Sequence, residues 1–521
     1  MTSGSASPPL AREPAAPTSH SVGGRFGLAA LGFSILHLVL GFLVFEPTLF
    51  PGGDNAGYLI LGDALRSGEG YRDLHLPGTP LHALYPPLLP LLLAGLGWVG
   101  GVGLAKVVML LLTTTTVWAA AHFGRGWVGA GPSLGAAGLL AVNPTLLEYG
   151  HYILSEAPFT LCIVAALWLS RRKDRRGAAL AMMAAVAAFA TRTAGMTILV
   201  ALPLAWLLEG RRRRALWTGG IAAGALGGWA LYQRLAAVEQ PGYLTQLLLV
   251  DPYTPTAGSV GFAGLFARAA DNCWAYVSRV IPETLLGPGG GAGVGGIVLG
   301  LAVAAAVLAG WTIRSRERLR APEVFAVLYA GLIAVWPSVW TDRRFLLPLM
   351  PVVLLLALVA VWRLPAPSGR WLKWAAPAVI AIFGFDWVIR VAPDRLACAS
   401  SFRNGNACSL PEYESLYAAA RWARDNTAPD AVIANRKPRL FFWHGRRRGD
   451  LYPFSDDPET VMRGLEEMGA DYVLVGWLSL ATDQYLIPAM RAHEDRFEAV
   501  YVGGEPPSAI FRLLPPAANA D

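Results

Sequence analysis

From residue 26 to residue 392 the chain alternates long apolar runs with short polar connections, the pattern of a protein that crosses a membrane many times. Apolar runs at Phe26 to Phe50, Val102 to Phe123, Trp127 to Leu147 and Ala157 to Ser170 predict four spans. Between the arginines ending at Arg176 and those beginning at Arg211 the chain must cross an even number of times. Two short helices meeting at a tip near Arg192 satisfy that, although each is below the ~20 residues of an ordinary span. Further spans are predicted at Ala215 to Tyr232, from the glycine-rich stretch Gly287 to Gly300 down to Arg314, and at Glu323 to Trp340, Phe345 to Trp362 and Trp374 to Val391. The total is about eleven.

The polar interruptions have structure of their own. Asp54 to His82 is too charged to span; Asn55 to Arg66 within it has the pattern of an amphipathic helix ending near Gly68, lying along the membrane surface. Tyr85 to Gly100, with Pro86, Pro87 and Pro90 ahead of an apolar run, predicts an interfacial or re-entrant helix. The segment Gln233 to Gly289 is long enough to be a functional surface rather than a simple connection. Beyond Pro393 the composition becomes that of a soluble domain. Helices at Glu412 to Asp425 and Pro458 to Met468 alternate with strands at Ala431 to Asn435, Tyr472 to Gly476, Arg496 to Gly503 and Ala509 to Leu513. The expected fold is therefore mainly α: a polytopic helical bundle of residues 26–392 with interfacial helices on its outer face, a disordered tail at residues 1–25, and a small α/β domain at residues 393–521.

Charge orients this plan. Of the 521 residues 54% are hydrophobic and 15% charged, and the net charge of +7 comes mainly from arginines clustered between spans. By the positive-inside rule Arg171 to Arg176, Arg211 to Arg214 and Arg314 to Arg320 face the cytoplasm, leaving the C-terminal domain outside. Those clusters account for the basicity, so nucleic acid is not an expected partner. Lys106 is expected to snorkel at an outer helix end. The first residues lack the basic start and apolar core of a signal peptide, and the Ala, Gly and Arg bias points to a bacterial cytoplasmic membrane. Cys398 and Cys408 lie ten apart in an outer polar stretch where a disulfide is permitted, with Cys273 the competing partner; Cys162 sits in an apolar run as a small hydrophobe.

Three outer tips carry candidate chemistry. In Pro51-Gly52-Gly53-Asp54-Asn55 a carboxylate follows a membrane helix directly, where it serves as helix N-cap, as general base, or both. Tyr58 shares its helix face, whereas Asp63 points nearly opposite and is placed to pair with Arg66. Glu156, ahead of an apolar run, is either favoured by the helix dipole or part of a site; nearby His151 reads as a polar interfacial side chain. In Asp342-Arg343-Arg344 two arginines run against the topology bias, so one pairs with Asp342 and the other is free for an anion. Arg192 either adds to that phosphate site or pairs with Glu156.

At these residues the chain resembles the GT-C class of integral membrane glycosyltransferases, in the branch similar to protein O-mannosyltransferases and lipid A aminoarabinose transferases (glycosyltransferase family 39-like). The resemblance rests on Gly53-Asp54-Asn55, Tyr85-Pro86-Pro87-Leu88, Leu154-Ser155-Glu156 and Arg344-Phe345-Leu346-Leu347-Pro348, and spans the membrane region. It implies a polyprenyl-phosphate sugar donor, a lipid, glycan or protein acceptor, and inverting transfer of a hexose or pentose at the outer face. Asp54 and Glu156 would be catalytic, the former as base and the latter orienting the acceptor or a divalent cation. Arg344, Arg192, Arg343 and Tyr85 would contact the donor phosphate, with Tyr58 and Asp342 in the pocket. Tyr85 stands where such relatives have Lys or His, and Asn55 where they have a second acid, which leaves metal dependence open. The alternative is a transporter or flippase of a lipid-linked glycan, which predicts charges near the bilayer midplane and repeat symmetry.

Overall fold

The computed structural model describes residues 19–236, 243–252, 258–364, 372–404 and 408–515. Most of the expected N-terminal tail, residues 1–18, lies outside them. Helices occupy each predicted crossing: Ser19–Leu43, Gly101–Val128, Ala130–Ala141, Glu156–Ser170, Arg175–Thr191, Met196–Leu208, Arg212–Leu235, Gly293–Glu317, Ala321–Val335, Met350–Arg363 and Leu372–Arg403. Among the described residues, five helices are long and apolar enough to cross a membrane alone: Gly24–Leu43, Gly101–Val128, Gly293–Glu317, Arg343–Arg363 and Lys373–Arg403. The shorter Glu156–Ser170 helix lies in the bundle interior, with Phe159, Ile163, Val164, Ala166 and Leu167 fully buried, so protein rather than lipid surrounds most of it. The first helix shows the opposite pattern on its rim. Leu28, Leu31, Ile35, Val39 and Phe42 are exposed at three- and four-residue spacing while Phe26, Ala30 and Leu40 are buried, a stripe that only a hydrocarbon solvent leaves without cost. The protein is thus a polytopic helical membrane protein with a C-terminal α/β domain.

Helix packing relies on close backbone approach where there is no hydrophobic force between helices in lipid. At Gly310 a Cβ would lie 1.9 Å from the carbonyl oxygen of Leu356, so the Gly293–Glu317 and Met350–Arg363 helices meet at a position only glycine permits.

Some boundaries move. The first helix stops at Leu43 rather than near Phe50, and Glu46 beyond it forms an ion pair with Arg395. The run from Trp127 to Leu147 is not one helix: it breaks at Gly129, which takes a positive φ, and at Asn143, whose side chain accepts a hydrogen bond from Leu146 N at 2.8 Å and starts a separate short helix. Leu372–Arg403 runs unbroken through residues 392 and 393, where the composition changes. Cys398, on its last turns, is joined to Cys408, while Cys162 and Cys273 are free. Lys106 does not snorkel: it is buried and donates to the carbonyl of Thr48.

The C-terminal domain carries a four-stranded sheet in the order β1 (Ile433–Ala434), β2 (Tyr472–Val475), β4 (Ser508–Leu513), β3 (Phe497–Gly503). β1 and β2 are parallel and the other pairs antiparallel. Helices Pro411–Asn426 and Pro438–Gly445 cover it, and their apolar side chains Leu416, Ala420, Leu440 and Phe441 form one core with Ala56. Ala56 belongs to the helix Gly53–Ser67, so the C-terminal domain is seated on the element whose first turn carries Asp54.

Candidate active site

The site is assembled from five connections whose ends meet above the bundle. Gly52, not Asp54, is the N-cap of the Gly53–Ser67 helix, and Asp54 sits in the first turn with its carboxylate turned outward from the helix. Tyr85 Oη donates to Asp54 Oδ1 at 2.7 Å, and Arg344 Nη1 donates to Oδ2 at 2.7 Å. Arg344 also donates through Nε to Glu156 Oε1, which in turn accepts from Arg192. Glu156 is fully buried. The result is a chain of alternating charge, Arg192, Glu156, Arg344, Asp54, in which one guanidinium bridges the two carboxylates.

Local structure holds each member. Asp342 caps the Arg343–Leu346 helix, accepting from Arg344 N at 2.8 Å, which corrects the expected pairing of Asp342 with a neighbouring arginine side chain. Arg343 turns away and pairs with Glu148 at 3.1 Å, so it does not line the cavity with the other phosphate candidates. Tyr329 Oη donates to the carbonyl of Phe345 at 3.0 Å, and the Phe345 ring lies 4.9 Å from the Arg192 guanidinium carbon, a cation–π contact. The long segment between Gln233 and Gly289 contributes Asn272, which bonds the carbonyls of Ala334 and Trp336 and the hydroxyl of Thr341, pinning the loop that carries Trp336 and Trp340. Asp63 pairs with Arg66 at 2.5 Å, as its spacing predicts, and with Arg446 of the C-terminal domain at 2.8 Å. His151, expected at the interface, is buried beside Phe45 and Tyr152.

Two contributions are not legible in the sequence. Arg439, on the Pro438–Gly445 helix of the C-terminal domain, donates to Tyr85 Oη at 2.9 Å and lies 3.6 Å from Asp54 Oδ1. It is one basic residue among Arg436, Lys437, Arg446, Arg447 and Arg448, and no local pattern singles it out. The second is an Asp73–His82 pair. His82 Nδ1 meets Asp73 Oδ2 at 2.8 Å and its Nε2 accepts from Tyr85 N at 2.8 Å, so the imidazole locks the backbone beneath the Tyr85 ring.

These groups surround a cavity of about 520 Å³. Asp54, Tyr85, Arg192, Arg344 and Arg439 form its polar wall, while Tyr58, Tyr149, Trp336, Trp340 and Phe345 form an aromatic one; Asp342 is at its edge. Glu156 is sealed beneath the arginines and reaches the cavity only through them. Among the described residues no three His, Cys, Asp or Glu side chains converge to hold a metal ion. Both site carboxylates are ion-paired, and Asn55 turns inward to accept from Ile153 N at 2.8 Å. The donor set does not fit a divalent cation, and no step below is routed through one.

Burial alone would push the Asp54 carboxyl up, but the charges of Arg344 and Arg439 and the hydrogen bonds from Arg344 and Tyr85 outweigh it and hold the group below the usual carboxylate range. Asp73 is likewise opposed by burial and held low by His82. Because both folded values lie below the unfolded ~3.9, their stabilisation is complete above that value and is lost as pH falls through the folded ones. Unfolding temperature in detergent is therefore expected to decline below about pH 4, less steeply in Asp73→Asn; an identical acid limb in that variant would remove Asp73 from the explanation.

No protein-family model matches the sequence, and comparison with curated proteins finds no match. The structure resembles ArnT from Cupriavidus metallidurans bound to undecaprenyl phosphate, with a TM-score of 0.58 at 14% identity over 96% of this chain and 100% of that one. It also resembles the archaeal oligosaccharyltransferase AglB from Archaeoglobus fulgidus, in complex with an inhibitory peptide and a dolichol-phosphate, with a TM-score of 0.56 at 14% identity over 91% of this chain and 72% of that one. At such identity the likeness establishes the fold, which is that of the GT-C membrane glycosyltransferases.

Proposed function

We propose that this protein transfers a sugar from a polyprenyl-phosphate donor to an acceptor hydroxyl, with inversion, at the outer face of a bacterial cytoplasmic membrane. The observation that carries the reading is the bridge of Arg344 between Asp54 and Glu156, inside a cavity where Arg192 and Arg439 add two further guanidiniums. An anionic leaving group and a carboxylate base are served by that arrangement together. The GT-C fold, and the lipid phosphates bound in ArnT and AglB, support a donor of this class.

In this mechanism the acceptor oxygen attacks the anomeric carbon, the bond from that carbon to the phosphate oxygen breaks, and the acceptor proton passes to Asp54. The electron pair leaves with the phosphate, which changes from a singly charged diester to a doubly charged monoester. Arg344 and Arg439 are therefore bound more strongly by the transition state than by the donor, which is what accelerates a reaction. While paired with those same arginines Asp54 is a weak base, because their charges outweigh burial and hold its carboxyl down. Donor phosphate draws the guanidiniums to itself, and the carboxylate recovers basicity when it is needed. Glu156 positions Arg192 and Arg344 rather than touching substrate, and the aromatic wall suits a sugar ring and the first prenyl units. In this scheme residues 26–392 form the transferase body, and residues 393–521 close the site from outside with Arg439.

The test is transfer of radiolabelled sugar from a panel of polyprenyl-phosphate sugars by protein in proteoliposomes, with movement of intact labelled lipid between leaflets followed in parallel. Sugar transfer or slow donor hydrolysis is expected. Lipid movement with no cleavage of the sugar–phosphate bond would replace this reading with a flippase, against which the placement of the charges at helix ends now argues.

A further inference from the structure

At the far end of the bundle a second cavity, of about 200 Å³, opens where the three arginine-rich connections come together. The Glu156–Ser170 helix separates the two: its 15 residues put Arg171 about 22 Å from Glu156. Arg171, Lys173, Arg211, Arg318 and Arg320 line the cavity, against the single carboxylate of Glu209, which is paired with Arg211 at 3.1 Å. Four cations thus share a hollow with no carboxylate left for them in its lining. Arg171 is anchored through Nη2 to the carbonyl of Gly126, while its Nη1 is buried and has no hydrogen-bond partner among the described residues. A donor held in place without an acceptor awaits one from outside the chain. Trp127 and Trp206, both buried at helix ends, form the inner wall, and Trp127 Nε1 donates to the buried Glu323 Oε1 at 2.9 Å behind it.

We propose that this cavity binds a phosphate-bearing anion presented by a membrane phospholipid, so that a headgroup of the leaflet opposite the active site is held between the helix ends. Cationic pockets between membrane helices select anionic headgroups by charge, and here the convergence of three separate connections makes the pocket a product of tertiary structure. A headgroup held there ties together the ends of the helices whose other ends carry Glu156 and Arg192. The proposal is independent of which reaction the first cavity performs.

Native mass spectrometry of protein exchanged from micelles containing phosphatidylglycerol and phosphatidylcholine measures it directly. Phosphatidylglycerol is expected to be retained over phosphatidylcholine. The exposed pair Lys173→Gln with Arg318→Gln should weaken that retention about thirtyfold, since each cation near a membrane surface contributes on the order of a fivefold change. Arg212→Gln with Arg213→Gln removes equal charge outside the cavity and should change it by less than about threefold. Equal losses in the two pairs, or no preference for phosphatidylglycerol, would overturn the site in favour of a diffuse surface field. If inorganic phosphate displaces the lipid at millimolar concentration, the pocket takes a free anion and the assignment to lipid is wrong.

Discussion

Asp54→Asn is expected to lower kcat for sugar transfer by about 10²- to 10⁴-fold, the range over which a positioned base contributes. The amide keeps a group at the hydrogen-bonding position beside Tyr85 and Arg344 but cannot take a proton. It also frees Arg344 and Arg439 from a competing anion, so KM for the donor should stay level or fall. This split separates the proposed role from a structural one. A loss that appears in donor KM, with kcat preserved, would mean that Asp54 only orders the arginines and that the base lies elsewhere.

Glu156→Ala should produce the largest loss of stability of any substitution in the site, about 3–5 kcal/mol, because it takes the carboxylate from the Arg192 guanidinium and leaves Arg344 beside it with Asp54 alone. Glu156→Gln keeps an acceptor oxygen and should cost less while still slackening Arg344. Unfolding in a denaturing detergent series, read alongside donor KM and kcat, tests this. A fully stable Glu156→Ala protein lacking all transfer activity would assign Glu156 a direct chemical part, contrary to its burial beneath the arginines.

Both expectations depend on pairings that local sequence left open or mis-stated. Asp54 satisfies the composition rule for an N-cap, yet Gly52 takes that position and the carboxylate is spent on Tyr85 and Arg344. Arg192 had two possible partners, a phosphate or Glu156; the structure pairs it with Glu156, while it still faces the cavity. Arg343 and Arg344 are adjacent and chemically alike, but one turn of helix sends the first to Glu148 and the second to the two site carboxylates. Tyr85 brings no charge to its position, and Arg439 supplies one on its hydroxyl and over its ring at 5.5 Å. The Pro438–Gly445 helix that brings Arg439 was not anticipated, being short and flanked by basic residues that mask its apolar face.

What the sequence alone determined is the set of apolar helices, their order, the gathering of arginine connections at one end of the bundle, and the polar tips at the other end on which Asp54, Glu156 and Arg344 lie. Those are properties of each segment's own transfer free energy between water and hydrocarbon, and such energies add up residue by residue along the chain. Which charge neutralises which was decided only by the tertiary structure. A part-buried ion pair is favourable through distances of a few ångströms between residues hundreds of positions apart, and those distances exist only after the helices have packed and the C-terminal domain has seated Arg439 against Asp54.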